Sequence, residues 1–548
     1  MNDVVLEIKK AVKTLFDIDY EPEVTVAPAE TGADFSSNVA MKLTRELHKN
    51  PSEIAEAIAG EVINYEVEIA GPGFLNFKLA DQYYLDKIIN LDNNFDKSLK
   101  CDEYSGKTVI CEFSDPNPFK VLHVGHLYTS IVGDSIAKLF EYAGAKVIRA
   151  NFGGDVGLHV GKTMWALQKS GMKDFTIDDI AAKYVDGTRA YEDDEAAKAE
   201  IIEINKKIYT IAQNKLHDSE LAEMYWKGRE LSYQYFEDFY NHIGVKFDKY
   251  YPESTVAGRG VTEVKNGLSK GVYEMSDGAV VYRGDEKLGL HTRVFINKEG
   301  LPTYEAKDVG LIFTKWDDYH FDKSVVITGN DIIDYMKIVL GSVAEINPEL
   351  PARTSHLTHG QVKLPGNVKM SSRKGNFLKA VDILNLISDE LKNKYNSDDF
   401  MVALGATKYA FLKYKMGGDI IFDPEESVKM TGNSGPYLLY SCVRAKKVLS
   451  KVNKNSELNT SELNYYERLL ARKILQYREI LTEAVAEMAP HKVCNYLYEL
   501  AQEFSRFYEK CPVVGSDREA LRVMITKVYL NTMLHGLNIL GIKVPEEM

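Results

Sequence analysis

The chain has 548 residues, too many for one hydrophobic core, so three or four domains are expected. Its 45% hydrophobic content excludes a disordered chain, and five scattered cysteines, at 101, 111, 442, 494 and 511, exclude a disulfide scaffold. A net charge of −13 gives no sign of a polyanion binder as a whole, although a local basic stripe can still carry phosphate contacts.

The opening segment places Val5, Ile8, Val12 and Leu15 at helical spacing, and Asp3 and Glu7 interrupt any apolar leader, so no secretion signal is expected. No run approaches the length needed to span a membrane. Residues 1–95 read as a small α+β domain closed by a strand from Ile69 to Leu79.

Thr108 to Cys111 reads as a buried strand, and Leu127, Ile131, Val132, Ile136, Leu139, Phe140 and Ala143 follow with helical period. Gly144 stops the helix and Val147 to Ala150 supplies the next strand, which completes a β-turn-α-β unit. Such a helix start aims unpaired N–H groups and positive dipole at the crevice, where a triphosphate is stabilised. His123 and His126 lie in that first turn with Gly125 between them. By itself His-x-x-His suits phosphate donors, a chance helix cap or half of a metal site. Zinc needs a third and usually a fourth ligand, and no cysteine pair or carboxylate–histidine cluster lies nearby, so no metal site is expected.

Residues of about 165–245 are rich in charge and helix formers and read as a helical insertion. Tyr304 and Asp308, four apart, fall on one helical face. Further on, Lys363-Leu-Pro-Gly-Asn-Val-Lys-Met-Ser-Ser-Arg-Lys-Gly-Asn376 reads as a basic loop, suited either to closing over a triphosphate or to plain solvation. From about 381 the pattern is helical to the end.

The stretch Glu112-Phe-Ser-Asp-Pro-Asn-Pro-Phe-Lys-Val-Leu-His-Val-Gly-His126, followed by Asn151-Phe-Gly-Gly-Asp-Val-Gly-Leu-His-Val-Gly161, resembles the catalytic start of class I aminoacyl-tRNA synthetases, specifically the arginyl family. The tetrapeptide is that family's HIGH motif, and Lys369-Met-Ser-Ser-Arg-Lys-Gly-Asn376 is similar to its KMSKS loop. Ser372 stands where the second motif lysine is usual, and arginyl enzymes lacking that lysine generally carry one before the HIGH motif, here Lys120. Two departures that compensate within one site are stronger support than two separate matches. Asp115, Val156 and His159 replace the usual Ser, Trp and Gln.

The resemblance implies an α/β Rossmann-like parallel-sheet catalytic domain over 105–380, an N-terminal α+β tRNA-elbow domain over 1–95 and an all-α anticodon-binding bundle over 381–548. It implies that Lys120, His123, Gly125, His126, Lys369, Met370, Ser371, Ser372, Arg373 and Lys374 serve ATP. Glu112, Asn117, Tyr304 and Asp308 match arginine-binding positions. Asp115 lies beside them, and Asp331 with Asp334 takes the place of a Gln-x-x-His pattern. A planar, permanently charged guanidinium calls for carboxylates fixed in its plane. Phe74 and Asn76 match positions that stack on and hydrogen-bond a flipped-out tRNA base, and Tyr437, Tyr440 and Arg444 are candidates for anticodon bases.

The implied reaction is ATP-dependent activation of L-arginine and its transfer to tRNA(Arg). Mg2+ enters with ATP, no resident metal or prosthetic group is required, and a monomeric cytoplasmic enzyme without a membrane partner is expected. The alternatives are a related nucleotidyl transferase acting on another carboxylate and a non-catalytic tRNA-binding paralogue. The intact histidine turn, Lys120 and the basic loop speak against the second, because a binding module has no use for a transition-state clamp.

Overall fold

The apolar period that opens the chain forms a helix, Asn2–Phe16 (α1), but its buried stripe is Val4, Ile8, Ala11 and Val12. Leu15 is 37% exposed, so the stripe is rotated by one residue from the expected one, with small Ala11 completing the face. In this computed structural model, residues 2–28, 31–63, 65–285, 287, 289–365, 379–452 and 462–548 are described. Lys369, Met370, Ser371, Ser372, Arg373 and Lys374 lie outside the described residues.

The chain packs as two units, and the first comprises residues 1–99, 444–478 and 499–532. Its strands Val24–Val26 (β1), Phe35–Ser37 (β2), Glu66–Ala70 (β3) and Phe74–Lys78 (β4) form an antiparallel sheet in the order β1-β2-β4-β3. The expected single strand from Ile69 to Leu79 is thus a hairpin. Gly71 and Gly73, at φ 53° and 118°, turn the chain at Gly-Pro-Gly where a strand cannot continue. Val4, Ile8, Leu43, Ile54, Ile58, Leu75 and Phe77 build the core beneath the sheet. In the same unit, Arg468 donates to Asp34 at 2.6 Å and to the Leu79 carbonyl at 2.6 Å, and Glu467 accepts from both Arg518 and Arg522. Glu467 has no exposed surface, so these two guanidiniums supply the compensation that a buried charge requires.

The second unit, residues 100–443, 479–498 and 533–548, carries the candidate chemistry. Strands Thr108–Glu112 (β5), Lys146–Gly153 (β6) and Lys249–Pro252 (β7) are followed by a three-stranded antiparallel sheet of Glu274–Ser276 (β8), Ala279–Tyr282 (β9) and Arg293–Ile296 (β10). Then come Lys323–Gly329 (β11) and Thr354–His359 (β12). The main sheet is entirely parallel in the order β12-β11-β5-β6-β7. Chain order therefore reverses between β5 and β11, the switch point where doubly wound sheets open a crevice at their strand C-termini.

After the helices Val39–Leu47 (α2), Pro51–Glu61 (α3) and Asp81–Leu99 (α4), helix Val124–Tyr142 (α5) crosses from β5 to β6, and Gly144 at φ 88° ends it as expected. Gly133 on α5 lies against Phe113, and a Cβ there would stand 2.1 Å from the ring's Cγ, so only glycine lets helix and strand approach this closely. Between β6 and β7 the expected helical insertion consists of Leu158–Ser170, Ile177–Asp193, Glu195–Asn214 and Glu220–Ile243, around a core containing Val160, Met164, Ile180, Ile208 and Tyr225. Beyond residue 379 the second unit is helical apart from Ile420–Ile421, which pairs in parallel with Val362–Lys363.

Candidate active site

The turn from β5 into α5 is held in a conformation that costs free energy. Ser114, Asp115 and Phe119 take φ of 73°, 49° and 66°, a region non-glycine residues enter at a cost of about 1–3 kcal/mol each, and such strain clusters at functional sites. Each residue is tied down. Ser114 Oγ lies 2.8 Å from Tyr240 Oη, Asp115 Oδ1 accepts the Phe152 N–H at 2.7 Å, and the Phe119 N–H donates to Ser232 Oγ at 3.0 Å. Asn117 Oδ1 accepts the Gly154 N–H at 2.8 Å, linking the turn to the end of β6.

His123 is the N-cap of α5: its Nδ1 accepts the Gly125 N–H at 3.0 Å, while His126 Nδ1 accepts the His123 N–H at 3.1 Å. Both Nδ1 atoms act as acceptors, so in each neutral ring the proton sits on Nε2. The rings pack 3.8 Å apart. Burial pushes His123 down to about 4, with Lys120 adding repulsion, and burial followed by His123 pushes His126 well below the usual range. At neutral pH the pair is therefore two uncharged Nε2–H donors at a helix N-terminus, a means of stabilising phosphate charge without a bound counter-ion. His159, in place of the usual Gln, is likewise held neutral, pushed by burial down to about 3, and its Nε2 lies 2.8 Å from the Gly154 carbonyl.

The histidine pair borders a cavity of about 600 Å³ at the switch point, lined also by Asp115, Gly125, Thr328, Asp331 and His359 among others. Asp331 lies on the turn Asn330–Ile332 after β11 and is exposed to the cavity, and the group whose protonation it favours is His359. Asp334 points instead to Lys337 at 3.0 Å on the surface, so only Asp331 of that pair belongs to the cavity lining.

Carboxylates cluster around the same turn. Glu112 is buried and bound to Lys315 Nζ at 2.6 Å, which also donates to Ser324 Oγ at 3.2 Å. Glu253 is buried and bound to Lys307 Nζ at 2.5 Å, with Tyr209 Oη 2.9 Å from the same nitrogen. Asp308 accepts the Tyr335 hydroxyl, and neither Asp308 nor Asp115 has a Lys or Arg partner among the described residues. Burial raises Asp308 to about 7 against the pull of that hydroxyl, and Glu112 and Glu253 add to the rise. Burial, then Glu112, raises Asp115 well above the ordinary range. Four acids thus share two lysines, and the cluster is short of positive charge, the electrostatic condition for holding a cationic ligand.

Tyr304 and Asp308 lie one turn apart on the helix Tyr304–Tyr319 as expected, Tyr304 exposed and Asp308 half-buried. Glu112 Oε2 is taken by Lys315, so this carboxylate is paired and not open. Lys315, Lys307, Glu253 and Tyr335 escaped the sequence reading. Lys315 carried a signal, since it follows the buried Leu311 and Ile312 at i+4 and i+3 on one helical face.

Among the RNA candidates, Phe74 is 40% exposed on β4, whereas Asn76 on the same strand is 4% exposed, so only Phe74 offers surface. Tyr437 packs edge-on against Tyr498, Tyr440 is exposed, and the Arg444 guanidinium lies 5.3 Å from the Tyr508 ring centre. Among the described residues no group of three or more His, Cys, Asp or Glu is placed to hold a metal, and no helix is long and apolar enough to cross a membrane.

Comparison with known proteins gives three family matches. The family described as tRNA synthetases class I (R), catalytic domain, matches residues 89–423, well over half of the chain. The arginyl tRNA synthetase N-terminal domain matches 3–79 and the DALR anticodon binding domain 438–548. Similar curated proteins include the arginine–tRNA ligase of Flavobacterium psychrophilum, 28% identical over 99% of this chain and 98% of its own. That of Fusobacterium nucleatum is 29% identical over 98% of both. Among solved structures, the Thermus thermophilus arginyl-tRNA synthetase superposes with a TM-score of 0.80 at 23% identity, covering 100% of both chains. The Plasmodium falciparum arginyl-tRNA synthetase gives 0.79 at 20% identity, covering 100% of this chain and 99% of that one. At these identities the superpositions establish the fold, and the family matches carry the assignment: the chain belongs to the class I arginyl-tRNA synthetase family.

Proposed function

We infer that this protein is an arginine–tRNA ligase. The arginine carboxylate attacks the α-phosphorus of ATP, pyrophosphate departs and arginyl-adenylate forms. A hydroxyl of the tRNA(Arg) 3′-terminal ribose then attacks the acyl carbon and AMP departs. The observation that carries this reading is that two neutral Nε2–H donors at a helix N-terminus share a cavity with Asp115, a member of a carboxylate cluster in which acids outnumber lysines. One element serves phosphate and the other a guanidinium.

His123 and His126 donate to phosphate oxygens as charge builds up, Gly125 lets the nucleotide approach the helix start, and Lys120 supplies the positive charge that Ser372 lacks. Lys369, Met370, Ser371, Arg373 and Lys374 supply the second ATP-binding motif. Asp308, Asp115 and Tyr304 receive the arginine side chain, with Asn117 and the Lys315-bound Glu112 orienting its backbone end; Asp331 contributes at the cavity's edge. No protein nucleophile takes part, so catalysis rests on positioning and electrostatics. Mg2+ arrives with ATP as part of the substrate. Phe74, Tyr437, Tyr440 and Arg444 serve tRNA. The enzyme acts as a cytoplasmic monomer.

The test is charging of tRNA(Arg) with labelled arginine in the presence of ATP and Mg2+. The expected result is an alkali-labile aminoacyl ester. Absence of charging by the folded protein would overturn the inference.

A further inference from the structure

Lys120 follows the strained Phe119 and has no carboxylate partner among the described residues. Its contact is aromatic: Nζ lies 4.9 Å from the centre of the Tyr184 ring. Tyr184 belongs to the second helix of the insertion, Ile177–Asp193, whose start is fixed by reciprocal bonds between Thr176 and Asp179. The helix is pinned at Gly187, where a Cβ would stand 2.1 Å from the Lys162 carbonyl oxygen. The insertion also grips the turn itself, because Phe119 is buried in the insertion's core, stacked on Tyr225 at 5.9 Å.

An aromatic face attracts an ammonium through its quadrupole while carrying no net charge. A carboxylate in the same place would neutralise Lys120 and compete with phosphate for it. The ring instead restricts the long side chain and leaves its charge available, which reduces the rotamer entropy lost when ATP binds. We propose that Tyr184 is a positioning residue that holds Lys120 ready for the ATP phosphates, which makes the helical insertion part of the activation machinery. This rests on the role of Lys120 given above.

The test is a double-mutant cycle in ATP–pyrophosphate exchange with full-length protein, arginine and tRNA(Arg). Tyr184→Leu lowers exchange by roughly three- to tenfold, with ATP parameters affected and the arginine KM unchanged, and the conservative Tyr184→Phe restores the rate. In a Lys120→Ala background Tyr184→Leu has no further effect. If Lys120→Ala slows exchange but Tyr184→Leu behaves as wild type, or costs the same in both backgrounds, the positioning role is overturned while the clamp stands. If Lys120→Ala has no effect, the reading of Lys120 itself fails and this proposal falls with it. Thermal melting checks folding, and Tyr184→Met replaces the leucine variant should that one unfold.

Discussion

Arginine binding measured from pH 6 to 8 probes the carboxylate cluster directly. Free Asp308 is held at about 7, above its ordinary value of 3.8, chiefly by burial. A guanidinium stays protonated throughout this range, so it pairs with the ionised form. If only that form binds, about nine-tenths of the protein is competent at pH 8, about half at pH 7 and about one-eleventh at pH 6, so affinity falls about tenfold, or about 1.4 kcal/mol, between pH 8 and 6. Asp115, also raised, steepens the slope to the extent that it ionises with arginine. The linkage sign follows from the raised acid: its contribution to stability is complete below the unfolded value and is lost as pH rises through about 7, so stabilisation by arginine grows across the same window. Burial holds His123 at about 4 and His159 at about 3 and pushes His126 well below its usual range, so these three rings stay neutral across the window. Calorimetry in two buffers of different ionisation enthalpy should show proton release below pH 7, and Asp308→Asn should weaken binding and flatten the profile. An affinity independent of pH with no proton release would refute the reasoning.

His126→Ala removes one donor and should slow adenylate formation by about 10²–10³-fold with the arginine KM little changed, as read by single-turnover kinetics. Lys315→Met leaves Glu112 buried without compensation and should destabilise the second unit by about 3–5 kcal/mol in urea unfolding, with partial recovery in Glu112→Gln/Lys315→Met. Gly133→Ala drives a methyl into the Phe113 ring and should cost about 1–3 kcal/mol or more, visible as a lowered melting temperature. Affinity for tRNA should fall steeply between low and physiological salt despite the net charge of −13, and a flat profile in filter binding would deny backbone contacts the main role.

The phosphate half of the site was legible because it is local. Strand, turn and helix start are contiguous, so the spacing of His123, Gly125 and His126 states their geometry, and only the cap bonds to Nδ1 depend on the folded structure. The arginine half is assembled across 203 residues, from Glu112 to Lys315, and no local period shows that one acid in a cluster already has its cation. Pairing partners of buried charges are a tertiary property. The β8–β10 sheet went unread because its strands span only three or four residues each. The run from Ile69 to Leu79 reads as one strand although Gly-Pro-Gly marks a turn within it, and α1 buries small Ala11 where side-chain size alone favours Leu15.

The central claim, that this clamp activates arginine and no other amino acid, is tested most directly by ATP–pyrophosphate exchange with each of the twenty amino acids, with and without tRNA(Arg). Exchange with arginine alone is the predicted result. Exchange with lysine, or none with arginine in the presence of tRNA(Arg), would contradict it.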